Sequence, residues 1–186
     1  MFDPREITPV RPRLLRRQEY ERIVRLGLFE GEKVELLYGV VVTMGLMRPA
    51  HEDIIDRLTE RLVMGLRSQA RVRVKHALAL SEFSQPQPDL AVVPNGDYSR
   101  SHPASALLVV EVAEDSLNLD RKLKARLYAE SSVPEYWIVN LMDQLVEVYR
   151  RPLAGRFTEV RNYRPGEQLQ PQAFADLVIA VSDLLR

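Results

Sequence analysis

The chain has 186 residues, enough for one domain with a sizeable hydrophobic core. Lys plus Arg total 26 and Asp plus Glu total 26, so the net charge is zero. That excludes a strongly basic, histone-like binder and leaves room for a local basic patch. Cysteine is absent, which excludes disulfide scaffolds, thiolate zinc sites and cysteine nucleophiles, and fits a reducing compartment.

Three histidines leave little material for an all-histidine metal site. No apolar run approaches the roughly 20 residues that cross a bilayer, and MFDPREITPV lacks a hydrophobic signal core. The expectation is a cytoplasmic protein with no membrane partner.

Pro4, Pro9 and Pro12 predict an extended N-terminal arm over 1–13, with a single domain over 14–186. Residues 14–26 read as a helix, with Gly27 marking its C-cap. Two apolar runs around Tyr38-Gly39 predict a β-hairpin. From Pro49 to Leu66 the period becomes helical, with Ile54, Ile55, Leu58, Leu62 and Leu66 on one face. Residues 71–80 alternate as a strand, with Arg71, Arg73 and Lys75 on one side. A short strand follows over 88–93, then a loop at Asn95-Gly96. Residues 106–113 are nearly all aliphatic, as in a central strand buried on both faces. A helix over 117–131 and a strand over 135–140 come next. The tail reads as short strands with turns at Arg151-Pro152 and Pro165-Gly166, and 174–185 is apolar but ambiguous. Strands interleaved with two or three helices predict a mixed α/β (α+β) domain.

Glu111 interrupts an otherwise apolar strand. A buried carboxylate needs a cation or hydrogen bonds, so Glu111 is either a metal or catalytic ligand or one half of a strand-end ion pair. Asp89, after Pro88, is a turn or cap residue alone; beside Glu111 it becomes half of a hard-cation site. At about 100° per residue, Leu123, Leu127 and Tyr128 flank Lys124, with Asp120 one turn before it. That lysine serves the site or snorkels onto Asp120. Glu35 reads as a solvated strand residue and His51 as an inward histidine at a helix N-terminus, where anions bind. Trp137 reads as core. Arg71, Arg73, Lys75 and the arm residues Arg11, Arg13, Arg16 and Arg17 form either solvated faces or phosphate contacts.

Pro88-Asp89, then Glu111-Val112-Ala113 on a buried strand, then an inward lysine on a helix resemble the PD-(D/E)xK nuclease superfamily. More closely, the chain resembles the Uma2 (DUF820) family. The matching segments are Val34-Glu35-Leu36-Leu37 through Gly39, Arg48-Pro49-Ala50-His51, Gln87 through Val93, Val110-Glu111-Val112, Asp120 through Lys124 with Tyr128, and Val133 through Val139. The resemblance implies a restriction-endonuclease-like core, a central mixed β-sheet flanked by helices. It implies that Asp89 and Glu111 bind Mg²⁺ or Mn²⁺, that the Ala113 carbonyl completes the metal site, and that Glu35 and His51 line it. Ala113 stands where the superfamily motif carries lysine, and the resemblance carries that role to Lys124.

The function expected is metal-dependent hydrolysis of phosphodiester bonds, with DNA as partner and a homodimer or higher homo-oligomer as the assembly. Two alternatives stand beside it. One is a catalytically inactive module that binds nucleic acid or protein. The other is a scaffold in which these polar residues close into ion pairs.

Overall fold

The structure, a computed structural model, describes residues 12–45 and 47–185. The arm expected over 1–13 lies almost wholly outside them; Pro12 and Arg13 are irregular. Helix α1 (Arg17–Arg25) starts three residues later than the periodicity suggested. The reason is tertiary: the Leu15 N–H donates to Gly39 O at 2.9 Å, which holds this stretch extended against a hairpin. That hairpin, β1 (Val34–Leu37) and β2 (Val40–Thr43), turns at Tyr38 and Gly39, whose φ values of 50° and 80° are those of a type I′ turn. Tyr20, Val34 and Leu36 form a small core between α1 and the hairpin.

Helix α2 (Pro49–Leu66) matches its sequence pattern at both ends. Pro49 suits the first turn because its missing N–H has no intrahelical acceptor there. The five predicted inward residues are all buried. Strand β3 (Arg71–Val74) is shorter than the expected 71–80, because Lys75 adopts φ 53° and the chain turns away. Strands β4 (Leu90–Val93) and β5 (Leu108–Ala113) are wholly buried.

The predicted helix over 117–131 forms in three pieces: α3 (Leu117–Leu119), a π-helical turn (Asp120–Lys124) and α4 (Ala125–Glu130). It crosses to β6 (Glu135–Asn140), which lies parallel to β5. Then come β7 (Leu145–Leu153) and β8 (Arg156–Tyr163). The expected turn at Arg151-Pro152 is corrected: β7 runs through it and turns at Ala154-Gly155. Strand β6 begins opposite Arg150, so beyond that point one flank of β7 is open and a proline is tolerated. The Pro165-Gly166 turn is present. The ambiguous tail supplies β9 (Gln168–Leu169) paired with β10 (Ile179–Ala180), then a 3₁₀ turn.

The six strands order as β3-β4-β5-β6-β7-β8, antiparallel except at β5/β6. Alternation along β5 sends Leu108, Val110 and Val112 to the α2 face. Val109 and Ala113 face α4 instead, where they pack with Ala125 and Tyr128. A mixed sheet between helices is the architecture expected. Among the described residues no helix is long and apolar enough to cross a membrane.

Candidate active site

Glu111 shares its β5 side with Val109 and Ala113, and so faces α4. The pair Leu90↔Val110 fixes the β4/β5 register. One residue further on, Asp89 stands opposite Glu111. Like charges directly across a ladder repel, and both are buried, at 4% exposure each. The β3/β4 register, extended past Val74↔Leu90, brings Lys75 opposite Asp89, and the Lys75 N–H donates to Asp89 O at 3.0 Å. A row of Lys75, Asp89 and Glu111 therefore crosses three strand ends. It opens into a cavity of about 950 Å³ between the hairpin, the α2 N-terminus and the π turn.

Lys124 closes the row from the helix side. Its Nζ lies 3.0 Å from Glu111 Oε1, 3.2 Å from Glu35 Oε1 and 4.0 Å from Asp120 Oδ1. The Tyr128 hydroxyl donates to the same Glu111 oxygen at 2.7 Å. Glu35 is fixed by the Gln87 N–H at 3.0 Å, and Asp120 by the Ser116 hydroxyl at 2.5 Å. The π turn puts Asp120 and Lys124 together on its inward side. Such widened turns are frequent at functional sites.

Asp89 is held differently at its two oxygens. Oδ2 accepts the Val112 N–H at 2.6 Å, and Oδ1 is paired with the Lys75 ammonium. His51 Nε2 comes within 3.1 Å of Oδ2, and among the described residues it makes no well-formed hydrogen bond. Burial raises the Asp89 pKa, yet His51 and Lys75 outweigh it and hold the carboxyl below its ordinary range. Burial pushes Glu111 up to about 8: Lys124 pulls it back, while Asp89, Asp120 and Glu35 add to the rise. Burial likewise lifts Asp120 to about 6, against Lys124 and Ser116. Burial disfavours a charged Lys124, but Glu111, Glu35 and Asp120 more than reverse this and raise its pKa.

The structure thus brings Asp89, Glu111, Lys124, Glu35 and His51 into one cavity. The solvated reading of Glu35 is corrected: it is 2% exposed, because the 81–88 segment bridges to Leu36 and closes over it. Ala113 is not brought in. Its carbonyl turns to the β6 side and accepts the Leu141 N–H at 3.0 Å. A strand residue's N–H and C=O share a side, so it is Val112 whose carbonyl turns towards Asp89, past the end of β4. Sequence reasoning also missed Lys75 and Asp120 as cavity residues. Asp120 was visible as the partner one turn before Lys124. Lys75 was legible only as part of a basic strand face, either solvated or a phosphate contact. Elsewhere, Arg13 pairs with Glu19, Arg16 with Glu82 at 2.7 Å and Arg17 with Glu21 at 2.9 Å. Arg71 and Arg73 lie over the Tyr98 ring. Trp137 is core, as expected.

The donor set suits a hard cation. Glu35, Asp89, Glu111 and Asp120 are buried beside Lys75 and Lys124, and a bound cation would favour the ionised form of Glu111. The orphaned His51 nitrogen is a further donor in reach. Among the described residues no three His, Asp or Glu side chains converge into a ready cage. Two carboxylates and a carbonyl, with water and phosphate oxygens completing the shell, is what Mg²⁺ ordinarily takes.

Comparison with known proteins gives four findings. The family model for Uma2, described as "Putative restriction endonuclease", matches residues 17–182. A crystal structure from Anabaena variabilis, described as a putative nuclease belonging to DUF820, superposes with a TM-score of 0.76 at 15% identity; the match covers 93% of this chain and 97% of that one. The type IIG restriction endonuclease BpuSI overlaps 58% of this chain and 13% of its own length, at 16% identity and a TM-score of 0.39, too partial to bear on the site. No curated protein matches the sequence.

Proposed function

This chain belongs to the Uma2 family and has a restriction-endonuclease-like fold, and from that premise we propose that it is a metal-dependent nuclease hydrolysing phosphodiester bonds of nucleic acid, with DNA as the first substrate to try. The observation that carries the reading is the meeting of Asp89 and Glu111 in the cavity, where the Asp89 N–H donates to Glu111 Oε2 at 3.4 Å beside a buried lysine. Two neighbouring carboxylates are costly to bury, and a cation between them would offset that cost.

Asp89, Glu111 and the Val112 carbonyl would hold Mg²⁺ or Mn²⁺. Such a cation supplies Lewis acidity to a phosphoryl oxygen and makes water a better nucleophile. The protein's own groups do the rest. Lys124, kept protonated by three carboxylates, orients the attacking water or offsets charge gathering on the phosphate. Glu35 and Asp120 fix that ammonium in place. Tyr128 pins Glu111. His51, at the α2 N-terminus, sits where an anion is favoured. The setting is the cytoplasm, and a homo-oligomer would place two such sites on two strands.

One feature favours the inactive module instead: each carboxylate already carries a lysine, Lys75 on Asp89 and Lys124 on Glu111. Calorimetry with Mg²⁺ and Mn²⁺ on the wild type and on an Asp89→Ala, Glu111→Ala double variant separates the two, followed by a cleavage assay on DNA. Binding and cleavage in the wild type alone support the nuclease. Nucleic-acid binding that ignores the metal, with no cleavage, supports the module.

A further inference from the structure

Lys75 stands on the one oxygen of Asp89 that the rest of the site leaves for a cation. Oδ2 is taken by the Val112 N–H at 2.6 Å and crowded by His51 at 3.1 Å. Oδ1 carries the Lys75 ammonium. The lysine is not there by chance of rotamer: the strand register aligns it with Asp89, and its backbone N–H continues the ladder.

The two cavity lysines paired with Asp89 and Glu111 differ in their freedom. Lys124 has a side chain 7% exposed and is enclosed by Glu111, Glu35 and Asp120, so nothing can draw it out without stranding three carboxylates. Lys75 has a side chain 27% exposed, a single carboxylate partner among the described residues and a flexible stem reaching in from the cavity wall. Its left-handed backbone, φ 53°, comes directly after the last residue of β3, so Lys75 extends from the strand's end. Of the two, Lys75 is the one an incoming charge can move.

We infer that Lys75 is a resident counter-cation: a divalent cation displaces its ammonium from Asp89 Oδ1, and the freed ammonium then takes a phosphate oxygen of the bound nucleic acid. This rests on the nuclease reading above. It makes Lys75 a positioning residue with opposite effects on the two ligands. It keeps Asp89 neutralised in the metal-free protein, and it competes with the metal it later works beside.

The test is Mn²⁺ titration calorimetry at one fixed pH on the wild type, Lys75→Gln, Lys75→Arg and Lys33→Gln, followed by binding of a short DNA duplex in Ca²⁺. A charge-assisted hydrogen bond is lost on displacement, so Lys75→Gln binds Mn²⁺ about tenfold more tightly. Lys75→Arg, which keeps the charge, stays near the wild type. Lys33 lines the same cavity, and Lys33→Gln changes Mn²⁺ affinity far less. In Ca²⁺, Lys75→Gln binds the duplex more weakly than the wild type, a reversal that simple loss of structure would not give. Unchanged or weaker Mn²⁺ binding by Lys75→Gln overturns the inference and leaves the nuclease reading standing. So does equal tightening by Lys33→Gln, which would trace the effect to net charge alone, and so does unchanged DNA binding. A folded wild type that binds no Mn²⁺ overturns both.

Discussion

Glu111→Gln should make the metal-free protein more stable than the wild type, increasingly so as pH rises. Burial among like charges raises the Glu111 pKa from the ordinary 4.5 to about 8. Between those values the folded protein holds a proton that the unfolded chain has released. Wild-type stability therefore falls with rising pH across that window, by about 1.4 kcal/mol per unit where one full proton separates the states. Glutamine does not titrate. Asp120 titrates in both proteins and drops out of the comparison to first order. From pH 5 to pH 7 the difference should widen in favour of the variant by about 2 kcal/mol. The amide oxygen can still accept from Lys124 and Tyr128, so any fixed offset leaves this slope intact. Urea unfolding in EDTA at pH 5, 6, 7 and 8 reads it directly. A difference that does not vary with pH would refute the argument that Glu111 is held protonated by its surroundings.

Three further outcomes follow from the same geometry. If a cation binds Glu111 as the carboxylate, affinity for Mn²⁺ rises with pH up to about 8, and calorimetry in buffers of different ionisation enthalpy detects close to one proton released per cation. Lys124→Met leaves Glu111, Glu35 and Asp120 without their shared cation and costs about 3–5 kcal/mol in urea unfolding, most at high pH; a loss under about 1 kcal/mol would mean that the site does not depend on that charge. Gly39→Ala forces a Cβ to 2.5 Å from the Leu14 Cβ at a position with φ 80°. It should lower stability by about 1–3 kcal/mol, with faster amide exchange in the hairpin as the local sign.

Much of this protein was legible in its residues. The 3.6-residue period of 49–66 and the aliphatic run through 108–113 need no partner to be read, because each states how much of its own surface must be buried. Glu111 was conspicuous for the same reason: a charge inside such a run has to be compensated. The helix geometry around Lys124 also survived, although a π turn replaced part of the α-helix.

What the sequence could not contain was register. Asp89 faces Glu111, and Lys75 faces Asp89, only because β3, β4 and β5 are aligned by turns and packing tens of residues away. Glu35 reads as a solvated strand residue until the 81–88 segment closes over it. Which carbonyl turns towards the carboxylates, Val112 and not Ala113, depends on which flank of β5 has lost its neighbour. The sequence by itself determined which segments had to be buried and which buried charges demanded compensation, because burial is a property of each residue and its near neighbours. Only the tertiary structure decided which charges meet, because a pairing across strands depends on contacts between residues far apart in the chain.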